Sequence, residues 1–184
     1  IIQIIEREYL AEGEDTHLSY LDVYDKYIVF NKERNNKIKE IVDEIRENGD
    51  GSRILILTRS LDHGRTLEKL LDGGETQFLE GANSLGERYK SISKFRGAKQ
   101  SSTLIGTKIL QTGINIEEIT HFINARGMKS EIATIQALGR ALRKHKTKQK
   151  VYIYDFMDKE KYLLTHSKQR IKHYKKEGHE VIKI

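Results

Sequence analysis

The sequence predicts an α/β fold, a mainly parallel sheet flanked by helices on both faces. Two observations point there. Short apolar runs that suit strands buried on both faces alternate with segments whose apolar residues recur every three or four positions, as on a helix. Glycine, Asn and Asp supply the punctuation, for the chain has no proline. Strands that alternate with helices join by right-handed crossovers, which makes them parallel and covers both faces of the sheet. Ligands of such sheets gather outside the carboxyl ends of the strands. Here those ends are the loops at 58–61, 80–83, 106–113 and 125–130.

The elements follow in order. Asn35 to Glu47 carries Ile38, Ile41, Val42 and Ile45 on one helical face and stops at Asn48-Gly49-Asp50-Gly51. Arg53–Thr58 is the first strand. Ser60 or Asp62 caps the next helix, which presents Leu61, Leu67, Leu70 and Leu71 and ends at Gly73-Gly74. Thr76–Leu79 is a second strand, and Asn83 or Ser84 opens a helix to Phe95. Ser102–Gly106 and Ile119–Asn124 are strands, residues 130–144 a helix, and Val151–Phe156 a fifth strand. A basic helix over 159–177 precedes a final strand at Glu180–Ile184. Its Tyr162, Leu163 and Ile171 are expected on the sheet and its lysines in solvent, although contact with a nucleic-acid duplex is the other use of such a face. Residues 1–34 fit the alternation poorly and read as a linker or the tail of a preceding domain, leaving 35–184 as the domain proper. The chain opens Ile-Ile rather than with Met, as expected of a fragment of a longer protein.

Composition narrows the chemistry. With no cysteine there is no disulfide, thiolate nucleophile or Cys-based zinc site, and the seven histidines form no ligand pair. No metal is expected on this chain alone. No apolar run approaches the ~20 residues of a membrane span, and no signal peptide opens the chain. A cytoplasmic setting is expected. The net charge of +6 hides a gradient: residues 1–50 hold 7 basic against 13 acidic side chains, and residues 140–176 hold 13 against 3. That asymmetry suits a polyanion near the C-terminal third, or a solvated basic helix.

Residues 136–143 carry the sharpest signal, Gln-Ala-Leu-Gly-Arg-Ala-Leu-Arg. On a helix, Gln136, Gly139, Arg140 and Arg143 share one face, beside an apolar stripe of Ile135, Leu138 and Leu142. Gly139 leaves that face bare at a cost of roughly 1 kcal/mol against alanine. Two guanidinium forks one turn apart suit a phosphate chain.

This run resembles motif VI of the superfamily 2 helicases and translocases. Thr103–Thr107 followed by Gly113-Ile114-Asn115 resembles motif V. Ile54–Arg59 with the helix after it resembles motif IV, and Phe78–Gly81 with Arg88 and Phe95 resembles the segment between the two. Four motifs in order span 53–156. Arg126–Ser130 and Arg143-Lys-His145 look like the branch of phage DNA-repair helicases of the UvsW type. The resemblance implies the second of two RecA-like domains, with ATP and Mg²⁺ in the cleft between them. It also implies an N-terminal RecA-like partner that brings the phosphate loop and the metal-binding carboxylate. Neither motif occurs in this chain, so the chain alone is expected not to hydrolyse ATP.

Site roles follow from the resemblance. Arg143 is the arginine finger on the γ-phosphoryl group, an element worth about a thousand- to a hundred-thousand-fold in rate elsewhere. Arg140 holds the same phosphate and couples it to closure, and Gln136 orders the attacking water. Gly113 and Gly139 let backbone approach the nucleotide. Asn115 stands where the family has Asp, keeping the hydrogen bond without the charge. Arg59, Ser60, Gly81, Thr107 and Lys108 contact phosphates of the tracked strand. Glu80 replaces the family's usual His and is not counted among those contacts. Thr107 is alternatively a helix cap, and Arg59 alternatively one half of a surface ion pair. The reading is the C-terminal motor domain of an ATP-dependent DNA helicase or translocase. A non-catalytic nucleic-acid-binding module, an RNA helicase domain and a protein-binding regulatory domain are the alternatives.

Overall fold

The structure, a computed structural model, describes residues 1–6, 17–49, 51–72, 75–107, 116–129 and 150–184. Seven parallel strands form one sheet: β1 (Ile2–Glu6), β2 (Arg53–Leu57), β3 (Glu75–Leu79), β4 (Ser102–Gly106), β5 (His121–Asn124), β6 (Tyr152–Met157) and β7 (Val181–Lys183). Their spatial order is β3-β4-β2-β5-β6-β1-β7. The helices are α1 (Tyr20–Tyr24), continued by a π-helical turn over Asp25–Val29, then α2 (Lys32–Asn48), α3 (Leu61–Leu70), α4 (Leu85–Gly97) and α5 (Leu163–Lys176). The helix expected at 130–144 lies outside the described residues.

The two faces of the sheet build two cores. Leu55 and Leu57 of β2 point to one face, with Leu104, Phe122 and Ile153, where Ile92 and Phe95 of α4 and Tyr174 of α5 cover them. Ile54 and Ile56 point to the other, with Ile105, Ile123 and Phe156, beneath Ile38, Ile41, Val42 and Ile45 of α2 and Leu67 of α3. The period-two alternation of the strands thus meets the 3.6-residue stripes of the helices on both sides. β2 and β4 are buried along their whole length, as central strands of a parallel sheet must be.

Caps set the helix starts. Asn31, Ser60 and Ser84 accept backbone N–H bonds at the heads of α2, α3 and α4, and Ser84 with Glu87 completes a capping box. Asn31 moves the start of α2 three residues ahead of the sequence reading. Gly64 on α3 lets Phe78 of β3 lie against the helix backbone, where any Cβ would strike the ring.

Two expectations are corrected. Within the segment read as a linker or tail, Ile2–Glu6 is a strand of the sheet, hydrogen-bonded between β6 and β7, and residues 23–29 are largely buried in a third apolar cluster with Leu163. Tyr162 is not on the sheet-facing side of the last helix. It precedes α5 and is 41% exposed, and Tyr174 takes the buried position. Among the described residues, no helix is long and apolar enough to cross a membrane.

Candidate functional site

Arg59, Ser60, Gly81 and Thr107 leave the carboxyl ends of three neighbouring strands, β2, β3 and β4. Leu57 and Leu79 flank Gly106 in register, so the three loops begin at one level along one edge. Each side chain has a different status there. Ser60 Oγ accepts the backbone N–H of His63 at 3.2 Å, so its hydroxyl is the α3 cap, while Thr58 Oγ1 donates to its carbonyl at 3.3 Å. Gly81 lies in an exposed turn whose carbonyl accepts Arg88 Nη2 at 2.6 Å. The same turn is pinned by Arg65 on Glu80 at 2.9 Å, and that hydrogen bond raises the Arg65 pKa. Glu80 therefore serves the turn. Thr107 is half-buried at the exit of β4.

Arg59 is exposed, but its guanidinium is positioned. It lies over the rings of Tyr20 (5.6 Å) and Tyr24 (4.9 Å) and donates to the Tyr20 hydroxyl at 3.3 Å. Both rings come from α1. No carboxylate among the described residues pairs with Arg59, so the ion-pair alternative has no partner there. A cation held on π faces keeps its outward N–H groups available to an anion.

The loop after β5 is held from three sides. Arg34 Nη1 donates to the Ala125 carbonyl at 3.1 Å, Tyr24 Oη to the Arg126 carbonyl at 2.7 Å, and Arg170 Nη1 to the Met128 carbonyl at 3.1 Å. Gly127 has φ +61°, and a Cβ on it would come within 2.8 Å of Ile28. The two arginines are themselves locked in buried ion pairs. Arg34 binds Asp158 at 2.9 Å, with both side chains fully buried, and its guanidinium sits 4.4 Å over the Phe156 ring. Arg170 binds Asp155 at 2.9 Å, and Asp155 also accepts from Tyr174 Oη at 2.5 Å and Asn124 Nδ2 at 3.1 Å. Burial opposes the Arg170 charge, yet the Asp155 carboxylate outweighs it and raises the pKa. Tyr174 is pushed well up by burial and by the same carboxylate. Both ion pairs are buried and hydrogen-bonded on both sides.

Arg126 points differently. It is partly buried, its Nε has no hydrogen-bond partner, and no carboxylate among the described residues faces it. Burial lowers its pKa, and the neighbouring Arg59 charge adds to that.

Of the residues named from sequence, the structure brings Arg59, Ser60, Gly81 and Thr107 to one edge. Lys108, Gly113, Asn115, Gln136, Gly139, Arg140 and Arg143 lie outside the described residues. In sequence, the β5 loop precedes the segment that carries the last four. Arg34, Asp155, Asp158 and Arg170 were not anticipated, although a signal existed. Arg170 lies seven residues after Leu163 and four before Tyr174, and Arg34 four before Ile38, so both fall on the apolar stripe of their helix.

Comparison with known proteins bears on the family and the fold. The model of the helicase conserved C-terminal domain matches residues 36–145. The ATP-dependent DNA helicase uvsW of Enterobacteria phage T4 is 24% identical over 135 residues, covering 72% of this chain and 26% of that protein. A Methanocaldococcus jannaschii protein provisionally named an ATP-dependent RNA helicase is 29% identical over 116 residues, 58% of this chain and 15% of its own length. The chain therefore spans about a quarter or less of these relatives. The crystal structure of T4 UvsW superposes with a TM-score of 0.80 at 19% identity over 100% of this chain and 41% of that one. The C-terminal domain of the DEAD-box protein Dbp5 gives 0.65 at 22% identity, covering 84% of each. The seven-stranded parallel sheet with helices on both faces is thus the RecA-like fold, and the chain belongs to the helicase conserved C-terminal domain family, as the C-terminal domain of a superfamily 2 helicase.

Proposed function

We propose that this chain is the C-terminal motor domain of an ATP-dependent DNA helicase or translocase, working against an N-terminal RecA-like domain that holds the phosphates and Mg²⁺ of ATP. The observation that carries the reading is the alignment of Arg59, Ser60, Gly81 and Thr107 along the exits of three adjacent strands, within the region matched to the family. A row of cationic and backbone donors at one edge suits the phosphates of one strand, which are contacted without reading sequence. Lys108, which follows Thr107 in sequence, is a further phosphate contact in this reading. On the nucleotide side, Arg143 acts as the finger, Arg140 and Gln136 order the γ-phosphate and water, and Gly113, Asn115 and Gly139 line the approach. The buried pairs Arg34–Asp158 and Arg170–Asp155 hold the loop that precedes Gln136, Gly139, Arg140 and Arg143 in sequence. DNA is favoured over RNA because the relative matched over most of the chain is named a DNA helicase.

The test is Arg143→Ala in the intact protein. ATP hydrolysis should fall about a thousand-fold or more, while affinity for a DNA strand stays within a few-fold. Near-normal turnover in that variant defeats the finger role. The chain by itself should hydrolyse no ATP with or without DNA, and measurable turnover defeats the half-site.

A further inference from the structure

We propose that Tyr162, backed by Tyr20, is a stacking platform for one unpaired base of a strand whose phosphate lies on Arg59 and Arg126. The site rests on the nucleic-acid reading above and adds a contact to the base, where the strand-exit loops offer contacts to phosphate.

The backbone at Tyr162 is the first support. Its φ of 63° and ψ of −44° make it the one non-glycine residue with positive φ among the described residues. The N–H of Leu163 bonds to the Lys161 carbonyl at 2.8 Å, closing a γ-turn of the strained, positive-φ kind. Strain of this sort persists where surrounding structure enforces it, and it concentrates at ligand sites. The turn sends Leu163 fully into the apolar cluster under α1 and throws the Tyr162 ring outward, 41% exposed. Core packing accounts for Leu163 and leaves the placement of a large aromatic at position 162 without a use.

The surroundings supply the rest. Tyr20 meets the Tyr162 ring edge-on, centroids 6.0 Å apart, and meets His166 at 5.5 Å. Arg59 lies over Tyr20 and Tyr24, and Tyr24 bonds to the Arg126 backbone, so aromatic and cationic groups run without a gap from the β2 exit to the head of α5. Lys161 Nζ sits 4.7 Å from the Tyr162 ring centroid. Arg126 is partly buried, its Nε buried without a hydrogen-bond partner, and neither Arg59 nor Arg126 meets a carboxylate among the described residues. An exposed aromatic beside arginines that meet no acid suits single-stranded nucleic acid, the base by stacking and the backbone by charge.

The experiment measures fluorescence anisotropy of the 184-residue chain with a labelled oligothymidylate and with an abasic strand of equal phosphate number, across a salt series. The abasic strand should bind about tenfold more weakly, with the same salt slope. Tyr162→Phe should keep that preference. Tyr162→Gly, whose backbone takes this φ without strain, should fold with an undiminished Tm and bind both strands alike. Arg59→Ala and Arg126→Ala should weaken both strands and flatten the slope. With 5-iodouracil in the strand, photocrosslinks should map to Tyr162. Equal binding of the two strands, or a preference that survives Tyr162→Gly, overturns the platform and leaves the phosphate contacts standing. Absence of salt-sensitive binding to either strand overturns the nucleic-acid reading itself.

Discussion

His63 has its tautomer set by its neighbours. Asn35 Nδ2 donates to the Val29 carbonyl at 2.9 Å, so Asn35 Oδ1, 3.0 Å from His63 Nε2, must accept and the ring must donate from Nε2. Nδ1 is then a bare lone pair, buried without a partner. Burial first, and the nearby Arg34 charge second, push the pKa down to about 3 from 6.5. Because the folded value is the lower one, the unfolded chain takes up the proton first as pH falls. This contribution to stability is full above pH 6.5 and is lost progressively down to about 3. The loss approaches ~1.4 kcal/mol per pH unit. Urea unfolding should therefore show roughly 2 kcal/mol less stability at pH 5 than at pH 7 from this group. His63→Gln, whose amide can still donate to Asn35, should remove that part. His121, pushed down to about 4 by burial, adds a loss of the same sign, so the difference between parent and variant isolates His63. A pH profile unchanged by the substitution contradicts the neutral, buried ring. In the sequence the seven histidines look merely scattered, because this role depends on an asparagine from another helix.

Strand and helix elements differ in how far they can be read from sequence. β2 and β4 fall within a residue of their sequence bounds, because an apolar run buried on both faces has a purely local signature. α5 is only half legible. Its lysines at 168, 172, 175 and 176 are exposed as expected, but Arg170 in the same charge run is fully buried against Asp155. A basic residue on an apolar stripe resembles a solvated one until the partner strand is placed. The clamp on the β5 loop is likewise a product of three elements meeting, which no single segment announces. It makes a graded prediction. Removing one partner of a buried pair leaves the other charge uncompensated, so Arg34→Met should cost about 3–5 kcal/mol in denaturant unfolding. Tyr24→Phe, which forfeits one hydrogen bond to the loop, should cost about 1 kcal/mol. Arg34→Met with Asp158→Leu should recover much of the first loss, since no charge then stays stranded. If the double variant is less stable than Arg34→Met alone, the pair stabilises the fold outright rather than fixing its geometry.

At the scale of the molecule the question is where the folding unit begins. The sequence places that boundary at residue 35, because the acidic stretch ahead of it shows no alternating pattern and Ile2–Ile5 is a short apolar run with no helix pattern beside it. Strand order is a non-local property, and the sheet recruits that run between β6 and the edge strand β7. β1 pairs with β6 through five residues and is the strand on which β7 depends. Ile2, Ile4 and Ile5 are almost wholly buried, worth roughly 5–9 kcal/mol together. Arg34 falls in the same segment, and its loss strands Asp158 at about 3–5 kcal/mol. The sum rivals the ~5–15 kcal/mol that holds a typical domain together. A chain of residues 35–184 should therefore lack a cooperative urea transition and bind a hydrophobic dye, whereas the 184-residue chain unfolds in one step. A sharp transition for 35–184 at the midpoint of the longer chain would return the boundary to residue 35 and make β1 an accessory strand. The predicted failure instead makes residues 1–34 part of the motor lobe. The segment that brings Tyr20 and Tyr24 to Arg59 and to the β5 loop is then built into the same sheet that aligns the strand exits.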